Sequence, residues 1–375
     1  MIYIILAAPL LIYFLFVLYL YYSWLSIKVY AYDKESGRPC PFISVIVPIR
    51  NEADNLPLLI KSLHAQQYDN FELILVDDHS TDGSVDLAKS LLVDEHRFKY
   101  KIISMEGSGC EGKKKALLEG VENASGEIVL CTDGDCQAGP HWVASVGHYF
   151  AENDCVMLSG GVAFINDGTL FNKLQDLEFT SLIGTGAACM KAGFPNMCNG
   201  ANLAYRREVF FEVNGFSGNE DVASGDDEFL MHKVWQKYPG KVHFLKSTDN
   251  VIYTRPCPNL TSFFFQRRRW SSKWDKYTLN SVKYIAFFVF LTNVSFLVLF
   301  WMTFVYKLSL LVLLTLFTVK LLLDFMFVRK VTNDQGRHAG FLPFLLLQLI
   351  HPYYILIFGV LSKVGNYKWK GRTYK

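Results

Sequence analysis

The first 27 residues, MIYIILAAPLLIYFLFVLYLYYSWLSI, contain no charged side chain. A helix rises about 1.5 Å per residue, so roughly 20 apolar residues cross a hydrocarbon core and this run crosses it with some to spare. A secretory leader would place basic residues ahead of a shorter apolar stretch; here the first charge, Lys28, follows the run, which reads as a retained anchor. Tyr19, Tyr21, Tyr22 and Trp24 gather at one end like an interfacial belt. The far end is similar. Residues 284–306 carry no charge, 308–328 are interrupted by Lys320 and Asp324, and 341–362 are apolar but broken by Pro343 and His351-Pro352. We read the first two as spans and the third as re-entering the membrane without crossing. The stretch from about 28 to 280 has ordinary soluble composition, so the 51% hydrophobic content and the mean hydropathy of +0.18 come from the two ends.

Orientation follows from the basic residues. Lys28, Lys34 and Arg38 follow the first span, which puts the middle domain in the cytoplasm. Its eight cysteines, at 40, 110, 131, 136, 155, 189, 198 and 257, include no Cys-x-x-Cys pair, so no zinc site is expected and the thiols stay free. The tail SKVGNYKWKGRTYK is basic at 363, 368, 370, 372 and 375. Three full crossings after the domain would put that tail outside; re-entry of the His351-Pro352 segment keeps it inside. Lys320 and Asp324, at i and i+4, read as a snorkelling ion pair near the cytoplasmic end, a blander account than a transport pathway. A net charge of +2 gives no global field for nucleic acid.

From Phe42 onward, short apolar runs alternate with helical stretches. FISVIVP (42–48), FELILV (71–76) and EIVLC (127–131) read as buried parallel strands; 53–66, 84–93 and 113–123 have helical spacing. The expected fold is α/β, an open, mostly parallel sheet with right-handed crossovers, flanked by N- and C-terminal transmembrane helices. In such sheets ligands sit at the carboxyl ends of the strands. Those ends are acidic: Glu52 after the first strand, Asp77 and Asp78 after the second, Asp133 and Asp135 after the strand at 127–131. No Gly-x-Gly-x-x-Gly follows the first strand and no P-loop occurs, which excludes dinucleotide and P-loop triphosphate sites.

Asp133-Gly134-Asp135 sets two carboxylates on a tight turn, the kind of oxygen donor that Mg²⁺ or Mn²⁺ takes together with substrate phosphates. A solvated acidic turn has the same composition, but this one follows an apolar strand directly. Asp77 and Asp78 can accept hydrogen bonds from a ribose or base edge; the alternative is helix capping, for which Ser80 and Asp82 are better placed. Lys113 opens a helix where backbone donors already favour an anion and suits a diphosphate, while Lys114 and Lys115 read as a solvated basic patch. Asp226 and Asp227 open another helix, either as dipole partners or as a general base for a hydroxyl. In TSFFFQRRRWSSKWD, Gln266, Arg269 and Trp270 fall at i, i+3 and i+4 and share one helix face. Phe263 to Phe265 and Trp274 supply apolar surface at membrane depth, with Arg267 and Arg268 expected to snorkel outward. A plain interfacial helix explains the arginines but not a Gln and a Trp on the face of Arg269, where a guanidinium can hold a diphosphate and an indole can stack on an acceptor.

Taken in order, VPIRNE, VDDHSTDGS, GKKKAL, TDGDC, GANLAYRR, SGDDEFL and QRRRW resemble the motifs of inverting family 2 glycosyltransferases of the GT-A fold, in their membrane-anchored branch, over roughly 40–280. The resemblance implies a Rossmann-like GT-A domain. It divides the chain into an anchor (1–27), a cytoplasmic catalytic domain (28–260), an amphipathic interface helix (261–280), transmembrane or re-entrant helices (281–362) and a basic tail (363–375). It also implies roles. Glu52 and Asp77 or Asp78 would contact the nucleotide, and Lys113 its ribose or phosphates. Asp133 and Asp135 would match Asp-x-Asp, with Asp135 the direct ligand of a divalent cation, Mg²⁺ or Mn²⁺. Asp227 would be the base, Asp226 its neighbour in the motif, and Gln266, Arg269 and Trp270 would lie near the diphosphate and the acceptor. The KWKGRTY tail resembles the carboxyl termini of small membrane-bound members. Three positions depart from the pattern: His79 stands where glycine is usual in Asp-Asp-Gly-Ser, Gly225 precedes the Asp pair in place of the usual Thr-Glu-Asp, and Leu118 stands where asparagine is common.

The implied reaction is a single in-line displacement with inversion, moving one sugar from a nucleotide-sugar, UDP being the family's usual carrier, to a lipid or lipid-linked hydroxyl at a bacterial inner membrane. Gln-x-x-Arg-Trp also marks processive polysaccharide synthases, which need a pore of many helices. A catalytically inactive nucleotide-sugar-binding scaffold would be expected to lose the metal or base carboxylates, and here all are present.

Overall fold

The structure is a computed structural model and describes residues 2–33, 38–105, 112–219, 224–273, 276–305, 310–361, 367–369 and 372–374. Of the residues singled out from the sequence, Lys34, Cys110, Trp274, Lys363, Lys370 and Lys375 lie outside them.

The first half of the chain runs α1 (Ile2–Ser26), β1 (Ile43–Ile49), α2 (Leu56–His64), β2 (Phe71–Asp77), α3 (Ser84–Leu92), β3 (Lys99–Ser104), α4 (Lys113–Glu122), β4 (Ile128–Cys131) and β5 (Gln137–Ala138). It continues with α5 (Trp142–Glu152), β6 (Met157–Gly160), β7 (Val162–Phe164), α6 (Leu170–Lys191), β8 (Leu203–Arg206), α7 (Arg207–Glu212), α8 (Asp226–Lys237), β9 (Val242–Leu245) and β10 (Ile252–Thr254). The last stretch holds α9 (Leu260–Ser271), α10 (Asn280–Val305), α11 (Leu310–Asp334), α12 (Phe341–Leu361), β11 (Tyr367–Trp369) and β12 (Arg372–Tyr374). The chain divides into two compact units, one of Lys28–Ile165 and Met197–Pro256, the other of Met1–Ile27, Asn166–Asn196 and Cys257–Lys375. The segment 166–196, with α6, thus belongs to the unit of the terminal helices.

The unit of Lys28–Ile165 and Met197–Pro256 is built on a seven-stranded sheet of order β3-β2-β1-β4-β8-β6-β9. β1, β2, β3 and β4 run parallel; β8 is antiparallel to both its neighbours, and β9 is parallel to β6. β2 and β4 are buried along their whole length, as the Val/Ile/Leu runs require of strands covered on both faces. β3, at the sheet edge, is the polar strand KYKIIS. The three strands and three helices expected from the apolar spacing fall on β1, β2, β4, α2, α3 and α4. Parallel register pairs Ile49 with Asp77 at the ends of β1 and β2, so their carboxyl-end loops emerge side by side. A small sheet of order β5-β10-β7 completes the unit. All seven described cysteines are free.

Among the described residues of the other unit, four helical stretches are long and apolar enough to cross a membrane: Ala7–Ser26, Asn280–Val305, Leu310–Asp334 and Phe341–Val360. Leu10 and Phe14 of α1, Phe296 and Leu299 of α10 and Leu313 of α11 form one apolar cluster. Two expectations fail here. The break read at Pro343 and His351-Pro352 is absent, for residues 341–361 are one uninterrupted helix: Pro343 lies in its first turn, where its missing N–H costs no hydrogen bond, and Pro352 is held within it. Lys320 and Asp324 do not snorkel. Both are buried, Lys320 Nζ donating to Asp324 Oδ2 (2.7 Å) and Gln348 Oε1 (2.5 Å), while Tyr13 Oη donates to Asp324 Oδ1 (3.0 Å). Sequence spacing gave the pair but not the partners from α1 and α12 that make burial affordable.

Candidate active site

The loops at the carboxyl ends of β1, β2 and β4 build the site. Leaving β1, Asn51 takes a left-handed φ of 52° and Glu52 turns inward, buried, its Oε2 accepting from Asn55 Nδ2 at 2.6 Å. Leaving β2, Asp77 accepts from the Ser80 N–H with both carboxylate oxygens (3.3 and 3.2 Å) and so closes the turn. Asp78 Oδ1 accepts from the Gly112 N–H (3.0 Å) and lies 3.2 Å from His79 Nδ1 and 3.9 Å from Arg50 Nη1. His79, at the position where the motif has glycine, adopts a left-handed φ of 62°, the conformation for which glycine is the default residue. Asp82 accepts from Ser84 N (3.1 Å) and Ala53 N (2.9 Å), but the N-cap of α3 is Gly83, which makes no side-chain cap bond, so neither Ser80 nor Asp82 caps the helix as the sequence suggested.

Leaving β4, Asp133-Gly134-Asp135 passes over Glu52. A Cβ at Gly134 would lie 2.8 Å from Glu52 Cγ, so the glycine between the two aspartates is a matter of space. Lys113, the first residue of α4, reaches Asp133 Oδ1 at 2.6 Å and Asp226 Oδ2 at 3.6 Å. Burial works against its charge, but Asp133, Asp226 and Asp227 outweigh it and raise its pKa above the ordinary lysine value. Asp226 and Asp227 open α8. Asp227 Oδ2 accepts from the Gly200 N–H (2.9 Å) and Oδ1 from the Glu228 N–H (2.8 Å), two backbone donors that favour the ionised carboxylate a base requires. The Gly200 N–H is presented by a single 3-10 turn, Gly200–Asn202, within GANLAYRR; that motif was visible in the sequence, its backbone service to Asp227 was not. Asn202, in the same motif, is buried, accepting from Trp142 Nε1 (3.0 Å) and donating to Gly161 O (2.9 Å).

Lys114 corrects the reading of the basic run. It is buried, donates to Asn219 O (2.6 Å) and lies 5.3 Å from the centroid of the Phe229 ring; only Lys115 is exposed. The structure therefore brings together Glu52, Lys113, Asp133, Asp226 and Asp227, with Asp78 joined to Lys113's helix through Gly112. Gln266, Arg269 and Trp270 lie on α9, in the other unit. There Arg267 corrects a second reading: it is buried rather than snorkelling, paired with Glu178 of α6 and lying over the Phe263 and Trp270 rings.

The donor set at the strand ends consists of carboxylate oxygens, chemistry suited to a hard divalent cation, and the cationic Lys113 ammonium standing among Asp133, Asp226 and Asp227 shows that the cluster attracts positive charge. Among the described residues no group of three or more His, Cys, Asp or Glu side chains forms a metal cage by itself.

Comparison with known proteins bears on Glu52, Asp77, Asp78, Lys113, Asp133 and Asp135. The family model described as Glycosyl transferase family 2 matches residues 44–213. The chain is 26% identical over 190 residues to glycosyltransferase AglE of Haloferax volcanii, covering 50% of this chain and 59% of that protein. It is 29% identical over 170 residues to an undecaprenyl-phosphate 4-deoxy-4-formamido-L-arabinose transferase of Pectobacterium carotovorum, covering 44% of this chain and 49% of that one. The chain thus spans about half the length of the curated relatives it matches. Among solved structures, a mannosyltransferase from Pyrobaculum calidifontis in complex with GDP-Man and Mn²⁺ superposes with a TM-score of 0.58 at 18% identity, covering 94% of this chain and 96% of that one, which establishes the shared fold. The chain carries a glycosyl transferase family 2 domain, residues 44–213, on a GT-A-like α/β fold.

Proposed function

We propose that the protein is a membrane-bound inverting glycosyltransferase that moves one sugar from a nucleotide-sugar to the hydroxyl of a lipid or lipid-linked acceptor. The observation that carries this reading is the convergence of Lys113, Asp133 and Asp226, with the Asp227 carboxylate beside them accepting from two backbone N–H groups. Asp227 takes the proton of the acceptor hydroxyl as that oxygen attacks the anomeric carbon; the bond to the nucleoside diphosphate breaks in line and configuration inverts. Lys113 exchanges its carboxylate partners for the diphosphate, and Glu52, Asp77 and Asp78 shape the nucleotide side. Asp133 and Asp135 would hold a Mg²⁺ or Mn²⁺ ion, which when bound supplies positive charge to the departing diphosphate. Gln266, Arg269 and Trp270 serve the diphosphate and acceptor. The relative named for undecaprenyl phosphate supports a lipid acceptor, and the neighbour solved with GDP-Man and Mn²⁺ supports a nucleotide-sugar donor and a divalent ion.

The domain is proposed to face the cytoplasm, with 341–361 re-entering. The backbone of β11 packs against α9 within one unit. α9 precedes α10, α11 and α12 and β11 follows them, so three full crossings would separate two segments that touch.

The test is nucleoside diphosphate release from a panel of UDP- and GDP-sugars by the full chain in lipid, with and without Mg²⁺ or Mn²⁺, beside Asp227→Asn. Release from one donor, raised by a lipid extract that supplies hydroxyl acceptors and lost in the variant, is the expected result. Nucleotide binding without release from any donor would replace the transferase by a nucleotide-sugar-binding scaffold.

A further inference from the structure

The second residue of QRRRW is the most enclosed member of the motif. Arg267 and Glu178 keep only 2% and 6% of their side-chain surface exposed. The guanidinium donates through Nε to Glu178 Oε1 (3.2 Å) and through Nη2 to Glu178 Oε2, a bidentate pair in which the planar fork matches the carboxylate. The remaining nitrogen, Nη1, donates to Gln266 Oε1. The guanidinium carbon lies 4.2 Å from the Trp270 ring centroid and 4.5 Å from that of Phe263. Trp270 is stacked from elsewhere by Phe179 of α6 (5.9 Å), and Glu178 receives a further hydrogen bond from Tyr354 Oη of α12 (3.0 Å). One side chain therefore touches two of the three motif residues, and its own partner is fixed by two other helices.

We propose that Arg267 is a positioning residue for the acceptor side of the reaction: held by Glu178 and Tyr354, it sets the Gln266 amide and the Trp270 indole, and through Tyr354 it makes that setting depend on α12. This rests on the reading of Gln266, Arg269 and Trp270 as reaction residues. The physical reason is specificity of shape. A buried ion pair adds little net stability, because desolvation offsets the Coulomb attraction, but it fixes geometry. A guanidinium alone among cationic side chains can bond a carboxylate with one edge, bond an amide oxygen with another and present its face to two rings at once. Lysine keeps the charge and loses that combination.

The test uses the full chain in lipid nanodiscs, with Arg267→Lys, Tyr354→Phe and wild type measured for nucleoside diphosphate binding, thermal midpoint, and kcat and KM for the acceptor under saturating donor. For Arg267→Lys the expected result is a loss of about 10- to 100-fold in kcat/KM for the acceptor, the scale of a misplaced side chain near a reacting centre, with nucleotide Kd and thermal midpoint close to wild type. Tyr354→Phe, which removes one hydrogen bond from Glu178, is expected to lose about threefold in the same constant. Acceptor kinetics at the wild-type value in Arg267→Lys overturn the proposal. So does a loss that comes with a parallel fall in nucleotide binding and thermal midpoint, because Arg267 is then only a structural residue. Absence of transfer by wild type from every donor sinks the transferase reading itself, an outcome distinct from both.

Discussion

Two Lys–Asp contacts of nearly the same length stand in opposite environments. Lys113 Nζ lies 2.6 Å from Asp133, with 21% and 35% of the two side chains exposed; Lys320 Nζ lies 2.7 Å from Asp324, with 2% and 8% exposed. The first pair sits on a helix start and a loop, has a second carboxylate 3.6 Å away, and can trade its partner for a ligand. The second sits between helices, with Gln348 and Tyr13 each adding a hydrogen bond. A part-exposed ion pair contributes less than a fully enclosed one, and the lysine's value lies in being available. In a dry interior, removing one partner strands the other charge at a cost of about 3–5 kcal/mol. Identical chemistry thus serves a site in one place and a clasp in the other, and enclosure decides which.

The largest expected effect breaks the site and spares the fold. Asp227→Asn retains the shape but cannot accept a proton, so transfer should fall by about 10²–10⁴, the usual contribution of a general base, with nucleotide binding retained. An unchanged rate would move the base to Asp226.

Next comes the clasp. Asp324→Asn or Lys320→Met alone is expected to destabilise the protein by about 3–5 kcal/mol, read as a fall in thermal midpoint in lipid. The double change Lys320→Met with Asp324→Leu should recover part of that: no charge is left stranded, but Gln348 and Tyr13 each lose a buried hydrogen bond. If the double variant is as damaged as the singles, the network does more than hold helices together. Lys113→Met is the counterpart at the half-buried site: a smaller loss of stability than at the clasp, because Asp133 keeps a third of its surface in water, against a fall of about tenfold in nucleoside diphosphate affinity by calorimetry.

How much of this was legible in the sequence follows from the range of each interaction. β1, β2 and β4 and the acidic residues after them could be read directly because apolar runs and turn residues are local signals. The nearness of Asp133 to Lys113 follows from the rule that parallel strands present their carboxyl ends together, whereas Asp226 opens a helix that follows the antiparallel strand β8 and was placed there only by the resemblance. What escaped was non-local. Lys114 looked solvated because Asn219 and Phe229, which bury it, lie over a hundred positions away in the chain. Arg267 and Lys320 looked like snorkelling residues because their partners come from other helices. The expected break at His351-Pro352 overweighted a local rule: Pro352 disfavours helix, yet a helix enclosed by tertiary contacts carries it.

The smallest effect concerns His79. Its left-handed backbone, φ 62°, costs about 1–2 kcal/mol for a residue with a Cβ. Glycine would remove that strain but regain about 0.5–1 kcal/mol of chain entropy in the unfolded state. The contact that His79 makes with Asp78, 3.2 Å with 30% of the imidazole exposed, is of the kind that contributes little. The sum predicts that His79→Gly raises stability by up to about 1 kcal/mol, and that His79→Val, with a branched Cβ in the same conformation, lowers it by more than that. A lower thermal midpoint for His79→Gly would mean that the Asp78 contact outweighs the backbone strain. The histidine would then belong with Lys320 as a clasp of the fold, and the turn after β2 would lose its standing as a part of the molecule kept open for a ligand.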